Sequence, residues 1–357
     1  MKFLLCSDLH LSADEKDYSL SVLNEIVTLC RKEKCGVLLF AGDVFDSWKD
    51  MEVLRNNFGH ALESLPADCI VYFLPGNHEE LRKPNQGKLE SFEFGRARLL
   101  SSKPFSVQPL NAEVEILAIP FQKDYSGYRD WAVPPKEKQL RILLAHGTVP
   151  GIAYVGPGEE SDSVLDEDMF AFFKADIAAL GHLHGNYVMQ KGATLIAYPG
   201  SARVWREGET DPRKIFICVT GTIPPVLEPA ILHSAGEYRI VPIYVSPGGQ
   251  LQFKGPQSIS AADYVRLDVS GFVEDESGVT QALEKIKIEL EKKCRKLTVN
   301  KDRLSVLSGV STHPLALRFL RKWEEAAANY ASQGAEVYEL ARIKGLGILK
   351  EIMESHK

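Results

Sequence analysis

The stretch Val37-Leu38-Leu39-Phe40-Ala41-Gly42-Asp43-Val44-Phe45-Asp46 decides the fold. Five apolar residues in a row read as a strand buried on both faces, and a carboxylate follows directly after Gly42. An unpaired carboxylate at the end of a buried strand is costly to desolvate. A cation supplies the natural compensation, with a helix N-cap as the alternative use. Asp46 and Asp50 suit the capping role better than Asp43.

Upstream, Lys2 to Cys6 is a first apolar strand, and Ser7-Asp8-Leu9-His10 follows it. Asp8 and His10 are one residue apart, so their side chains can share a face. Between the two strands, Leu20, Leu23, Ile26, Val27 and Cys30 recur at helical spacing over Leu20 to Leu29. This β-α-β unit predicts parallel pairing and a right-handed crossover. A second helix is expected over Met51 to Leu65. Further strands are expected at Ile70–Leu74, Ile116–Ile119, Arg141–Ala145, Ile177–Leu180, Thr194–Ala197 and Ile215–Val219.

Three of these strands end in the same manner as the first two. Ile70 to Leu74 runs into Pro75-Gly76-Asn77-His78-Glu79, Arg141 to Ala145 into His146-Gly147, and Ile177 to Leu180 into Gly181-His182-Leu183-His184. In open α/β sheets, ligands collect at the carboxyl ends of strands. Pro75-Gly76-Asn77 also fits a plain turn, so its reading stays open taken alone. Five of nine histidines lie in these strings. His60, His233, His313 and His356 fall on a helix, in a linker or in the tail, and read as surface or packing residues. The candidate metal residues are therefore Asp8, His10, Asp43, Asn77, His146, His182 and His184, with His78 beside them and Asp46 organising the loop. A mixed nitrogen and oxygen donor set suits divalent transition ions and fits calcium poorly. Two such ions about 4 Å apart are a standard device for hydrolysing phosphate esters.

The bulk numbers agree with an enzyme of this kind. The 357 residues carry 45% hydrophobic and 25% charged residues, and the length suggests about two domains. No apolar run reaches the roughly 18 residues of a membrane span, and the N-terminus is too short for a secretory signal. Six scattered cysteines form no CxxC pair. They read as reduced, buried thiols in a cytoplasmic protein rather than a zinc site. A net charge of −6 excludes binding nucleic acid through a general basic field.

Thr220 to Ser260 is rich in proline and glycine, including Ile223-Pro224-Pro225 and Ser246-Pro247-Gly248-Gly249. The expected organisation is a catalytic domain at 1–222, a linker with connecting strands at 223–262, a small β-α-β domain at 263–310 and a helical tail at 311–357. Within these, Tyr264–Val269, Leu297–Val299 and Leu304–Leu307 read as strands and Val279–Cys294 as a helix. Pro314 to Met353 reads as two helices broken near Ser332-Gln333-Gly334. Leu315, Leu317, Phe319, Leu320 and Trp323 suit docking or self-packing equally. The basic run Lys292 to Lys296 closes the expected helix, and the segment from Asp263 onward is nearly neutral.

The order DxH, GDxxD, GNHE, H, GHxH over roughly the first 200 residues resembles the calcineurin-like metallophosphoesterase superfamily. The resemblance implies an α/β (α+β) fold, a four-layer sandwich of two β-sheets flanked by helices, here with a small C-terminal cap and helical tail. It implies that Asp8, His10, Asp43 and His184 hold one ion and Asp43, Asn77, His146 and His182 the other, with Asp43 bridging and manganese as the usual metal. His78 would face the scissile phosphate. Met1 to His10, Gly42 to Asp46 and Tyr198-Pro199-Gly200-Ser201 are similar to SbcD-type DNA repair nucleases. That similarity implies DNA as substrate, an SbcC-type coiled-coil ATPase as partner, and pairing of two copies through helices at Met51–Leu65 and Leu89–Leu100. The alternative expectation is a phosphatase or phosphodiesterase for a small nucleotide-like substrate.

Overall fold

A computed structural model describes residues 1–81, 87–152, 163–221, 225–246, 249–256, 258–273, 276–306, 313–330 and 335–355. The chain forms two compact units, Met1–Glu237 and Tyr238–Lys357.

The first unit is built on two six-stranded sheets. Its elements in chain order are β1 (Lys2–Cys6), α1 (Lys16–Lys32), β2 (Val37–Ala41), α2 (Trp48–Leu62), β3 (Ile70–Leu74), α3 (Asn77–Glu80), β4 (Arg98–Leu99), β5 (Ser106–Pro109), β6 (Val114–Ile119) and β7 (Leu140–His146). They continue with α4 (Asp168–Phe172), β8 (Ile177–Gly181), β9 (Tyr187–Lys191), β10 (Thr194–Tyr198), β11 (Lys214–Val219) and β12 (Val226–Ile231). One sheet runs β12-β11-β1-β2-β3-β4 and the other β5-β6-β7-β8-β10-β9. β1, β2, β3 and β4 pair in parallel, as do β6, β7, β8 and β10, with antiparallel strands only towards the edges.

Alternation along the strands builds the layers. Phe3, Leu5, Val37, Leu39 and Ala41 face Ile116, Ala118, Ile142, Leu144 and Ala179 across the two sheets. Leu4, Cys6, Leu38 and Phe40 point the other way, against Val22, Leu23 and Ile26 of α1 and Leu54 and Phe58 of α2. The outer face of the second sheet packs Leu117, Leu143, Ala178 and Leu180 on Met169, Phe170 and Phe173. The fold is thus α/β, with mixed sheets and helices on their outer faces. Arg141 and Glu115 are both buried and pair at 2.6 Å, and the guanidinium also donates to Phe173 O at 2.9 Å and Pro134 O at 3.0 Å.

Two helix expectations differ from the structure. α2 begins at Trp48 rather than Met51, because Ser47 caps it and accepts from Asp50 N at 3.2 Å. It ends at Leu62, ahead of Pro66, which disfavours helical backbone at Leu65. Leu89–Leu100 is not a helix. It holds a 3-10 turn at Leu89–Ser91 and the two-residue β4. Gly95 adopts φ +62, and a Cβ there would lie 2.6 Å from Gly59 Cα of α2. That backbone-on-backbone crossing requires a left-handed glycine, which interrupts any helix.

The second unit holds β13 (Tyr238–Val245), β14 (Leu251–Phe253), β15 (Tyr264–Val273), α5 (Ser277–Glu291), β16 (Lys296–Val306), α6 (Pro314–Tyr330) and α7 (Ala335–Ser355). Its sheet runs β14-β13-β15-β16, with β13, β15 and β16 parallel. β15-α5-β16 is the β-α-β unit expected from the sequence. β16 is one strand where two were expected, and its pairing with β15 shifts register between Asp268 and Ser270. The 223–262 segment contributes β12 to the first unit and β13 and β14 to the second. Ala316 of α6 and Leu346 of α7 are buried together, with Phe319 and Leu320 packed on them. Leu315 and Leu317 are exposed. Leu307, the break at Ser332-Gln333-Gly334 and His356 lie outside the described residues. No helix among the described residues is long and apolar enough to cross a membrane.

Candidate metal centre

The strands that end in the polar strings all deliver them to one end of the paired sheets. Backbone hydrogen bonds lace the strings together: Asp8 N donates to Gly42 O at 3.0 Å, His10 N to Asp43 O at 3.0 Å and Gly147 N to Gly181 O at 3.1 Å. The fit is close. A Cβ on Gly181 would lie 1.9 Å from Ala41 O and 2.9 Å from His146 Nδ1. Asp8, His10, Asp43 and His182 take φ values of 49, 46, 49 and 101. Side chains rarely adopt that region, and such strain persists only where the surroundings over-determine it.

All nine candidate residues fall within this cluster. Asp8, His10 and His184 bring ligand atoms within 4.8 Å of one another, as do Asp43, His146 and His182. His10 Nε2 faces His184 Nε2 at 3.2 Å, and Asp8 Oδ1 is 4.0 Å from the latter. Asn77 Oδ1 stands 2.9 Å from His146 Nε2 and 3.1 Å from His182 Nδ1. Asp43 Oδ2 is 3.3 Å from His146 Nε2 and 3.9 Å from His78 Nε2. A third group, His10, Asp46 and His78, meets the same distance limit. Asp46 touches three rings: its carbonyl accepts from His78 Nδ1 at 2.5 Å, and Oδ1 accepts from Trp205 Nε1 at 2.5 Å and lies 3.4 Å from His10 Nδ1. By contrast, His60 is exposed beside Glu63, and His233 lies in a 3-10 turn.

Charge within the cluster is tightly balanced. Burial pushes the Asp43 carboxyl upward, but His146, His78 and His10 outweigh it and hold the group well below the usual carboxylate range. Burial raises Asp8. It also lowers His10 to about 3, so that ring is neutral. His146 is raised to about 9, the Asp43 and Asp8 carboxylates prevailing over burial. His78 is raised by Asp43 and the Asp46 carbonyl against its own burial.

The donor set fits metal ions on its own geometry. Buried Nδ1 of His10 makes no hydrogen bond, with Asp46 Oδ1 standing 3.4 Å away, and the Nε2 atoms of His10 and His184 converge on one another beside the buried Asp8 carboxylate. Buried polar groups without partners are rare and call for an ion or a strong acceptor.

Four further residues support the cluster without having been singled out in the sequence. Buried Glu79 accepts from Asp43 N, Phe45 N and Gly76 N at 3.1, 2.9 and 2.9 Å. It sits in the GNHE string, so its place there was the available signal. Arg203 Nε donates to Leu9 O and His10 O at 3.1 and 2.9 Å. Trp205 stacks on His10, and Glu209 accepts from His184. These last three come from the loop that follows Pro199-Gly200-Ser201, whose turn residues mark a loop but not the long-range partners of Arg203, Trp205 and Glu209.

The chain is similar to a probable cyclic nucleotide phosphodiesterase of Coxiella burnetii, 20% identical over 215 residues that cover 55% of this chain and 81% of the relative. Among solved structures, it is similar to a dimetal phosphatase from Danio rerio (12% identity, TM-score 0.41, covering 61% of this chain and 92% of that one). It is also similar to a purple acid phosphatase from yellow lupin seeds (16% identity, TM-score 0.45, covering 67% and 52%). Residues 1–186, which contain every metal string, match the calcineurin-like phosphoesterase family. The chain belongs to that family of metal-dependent phosphoester hydrolases.

Proposed function

We propose that this chain is a phosphodiesterase using two divalent ions, and that it acts on a small nucleotide-like phosphodiester. Asp8, His10, Asp43 and His184 would hold one ion, and Asp43, Asn77, His146 and His182 the other. The observation that carries the reaction class is the meeting of two Asp/His groups around Asp43 and Asn77. Manganese is the ion we expect, and the mixed nitrogen and oxygen donors are compatible with it. Two ions bound there would polarise the phosphoryl oxygens and lower the pKa of a water.

The residues around them orient and move protons. His78 donates Nδ1–H to the Asp46 carbonyl, which leaves Nε2 as its working atom. The carboxylates beside it favour the protonated ring, so Nε2–H would be delivered to the leaving oxygen. Trp205 covers the His10 ring and keeps water from its buried Nδ1. Six free, buried thiols support a reducing, cytoplasmic setting.

The small-substrate reading is supported by the relative named as a cyclic nucleotide phosphodiesterase. A second reading, DNA ends as the SbcD-type resemblance implies, is favoured by the second unit. Its helices leave Leu315, Leu317 and Val337 exposed, at 51%, 50% and 72%, apolar positions available to a partner such as the coiled-coil ATPase that the resemblance implies. Mn²⁺-dependent hydrolysis of bis-p-nitrophenyl phosphate and of cyclic nucleotides, compared with release from labelled duplex ends, separates the two. Turnover of the small esters without release from DNA supports the first reading. A higher kcat/KM on duplex ends replaces it with the second, and no Mn²⁺-dependent turnover of either rejects both.

A further inference from the structure

Beyond the family-matched segment, the connection from β10 to β11 folds back on the cluster. His184 is held from behind by Glu209, whose Oε1 accepts from Nδ1 at 2.6 Å. Glu209 is buried and fixed in turn: Oε2 accepts from Trp205 N at 2.7 Å and Arg206 N at 3.4 Å, and Arg213 Nη1 lies 3.7 Å away. Arg213 also donates to His184 O at 3.3 Å. The Trp205 ring stacks on His10 with centroids 4.4 Å apart and 16° between planes. One loop therefore grips both imidazoles of the Asp8–His10–His184 group.

His146, in the other group, has a backbone carbonyl behind it among the described residues, Ala41 O at 2.8 Å. A carboxylate behind a histidine fixes its tautomer and raises its basicity as a ligand more than a neutral carbonyl does. We propose that Glu209 is the positioning residue of the Asp8–His10–His184 half-site: it keeps the proton on His184 Nδ1 and presents Nε2 as the metal-binding atom. This inference rests on the two-ion reading above, and its test is designed to fail separately from that reading.

The test titrates the metal-free full-length chain with Mn²⁺ by calorimetry, with stoichiometry checked by elemental analysis, for the wild type, Glu209→Gln and the exposed-neighbour control Glu207→Gln. The expected result is two ions for wild type and control. For Glu209→Gln, one ion is held as in wild type and the other is roughly 10- to 100-fold weaker. Retention of both at wild-type affinity, or equal loosening of both as a general structural defect would produce, overturns the proposal. Imidazole ¹⁵N spectra of the wild-type metal-free protein, above the imidazole titration range, give a readout that requires no variant to fold. His184 is expected as the Nδ1–H tautomer, and the Nε2–H tautomer overturns the proposal. A wild type that binds no Mn²⁺ rejects the two-ion reading, while the tautomer spectrum still decides the role of Glu209.

Discussion

Replacing His78 with alanine separates a proton donor from a metal ligand. The structure offers both roles, since His78 Nε2 approaches Asp43 Oδ2 while His10, Asp46 and His78 form a group compact enough for an ion. The backbone decides what the substitution spares. His78 N donates to Asp43 Oδ1 at 2.9 Å, and alanine keeps that donor, so the Asp43 carboxylate keeps its orientation. Lost are the Nδ1–H bond to the Asp46 carbonyl and the proton on Nε2. A positioned general acid contributes about 10²–10⁴-fold, or about 3–5 kcal/mol of transition-state stabilisation. That loss falls on substrates whose leaving oxygen needs a proton, such as a nucleoside hydroxyl. A p-nitrophenolate leaves without one, so turnover of its esters should fall less than about tenfold. The assay is kcat on a cyclic nucleotide and on bis-p-nitrophenyl phosphate, with bound metal quantified in parallel. Equal losses on both substrates refute the proton-donor role, and loss of a bound ion shows His78 to be a ligand.

Gly181→Ala drives a Cβ into the Ala41 carbonyl and should cost about 3 kcal/mol, the upper end of the usual overpacking range, seen as a melting point lower by roughly 6–12 °C; an unchanged melt refutes the close approach of β8 and β2. Arg203→Met orphans the carbonyls of Leu9 and His10, at about 1–3 kcal/mol each. A urea midpoint equal to wild type would show that Arg203 does not hold the strained His10 backbone. Chelation followed by Mn²⁺ at about a hundred times its Kd should restore about 2.7 kcal/mol per site, and a melting point indifferent to chelator argues that no ion binds the folded state.

How much of this was legible in the sequence depends on the reach of each signal. The metal strings were legible because each combines a continuous apolar run with a polar residue at its carboxyl end, a local pattern that topology then gathers at one sheet edge. β13 was hidden inside a proline- and glycine-rich stretch. Pro242 sits at its middle, and a proline argues against a strand with neighbours on both sides. β14 resolves the conflict by pairing only with Ile243–Val245, which leaves Pro242 flanked by β15 alone. The helix expected at Leu89–Leu100 failed because apolar content there serves a 3-10 turn and a crossing against Gly59, a contact no local pattern encodes.

The supporting loop illustrates the deeper limit. Arg203 reaches back to Leu9 and His10, Trp205 to Asp46, and Glu209 to His184, each across a gap in sequence that carries no period and no motif spacing. Yet these contacts answer the problem the ligand strings create. Left-handed backbone at Asp8, His10 and Asp43 is unfavourable for side chains, each costing on the order of 1–3 kcal/mol. A guanidinium fixed on two carbonyls and a carboxylate fixed on an imidazole are the kind of rigid, long-range polar contact that can hold such strain in place. The candidate ligands are thus written in local strings, whereas the contacts that hold their geometry are written in a remote loop, and only the folded chain brings the two together.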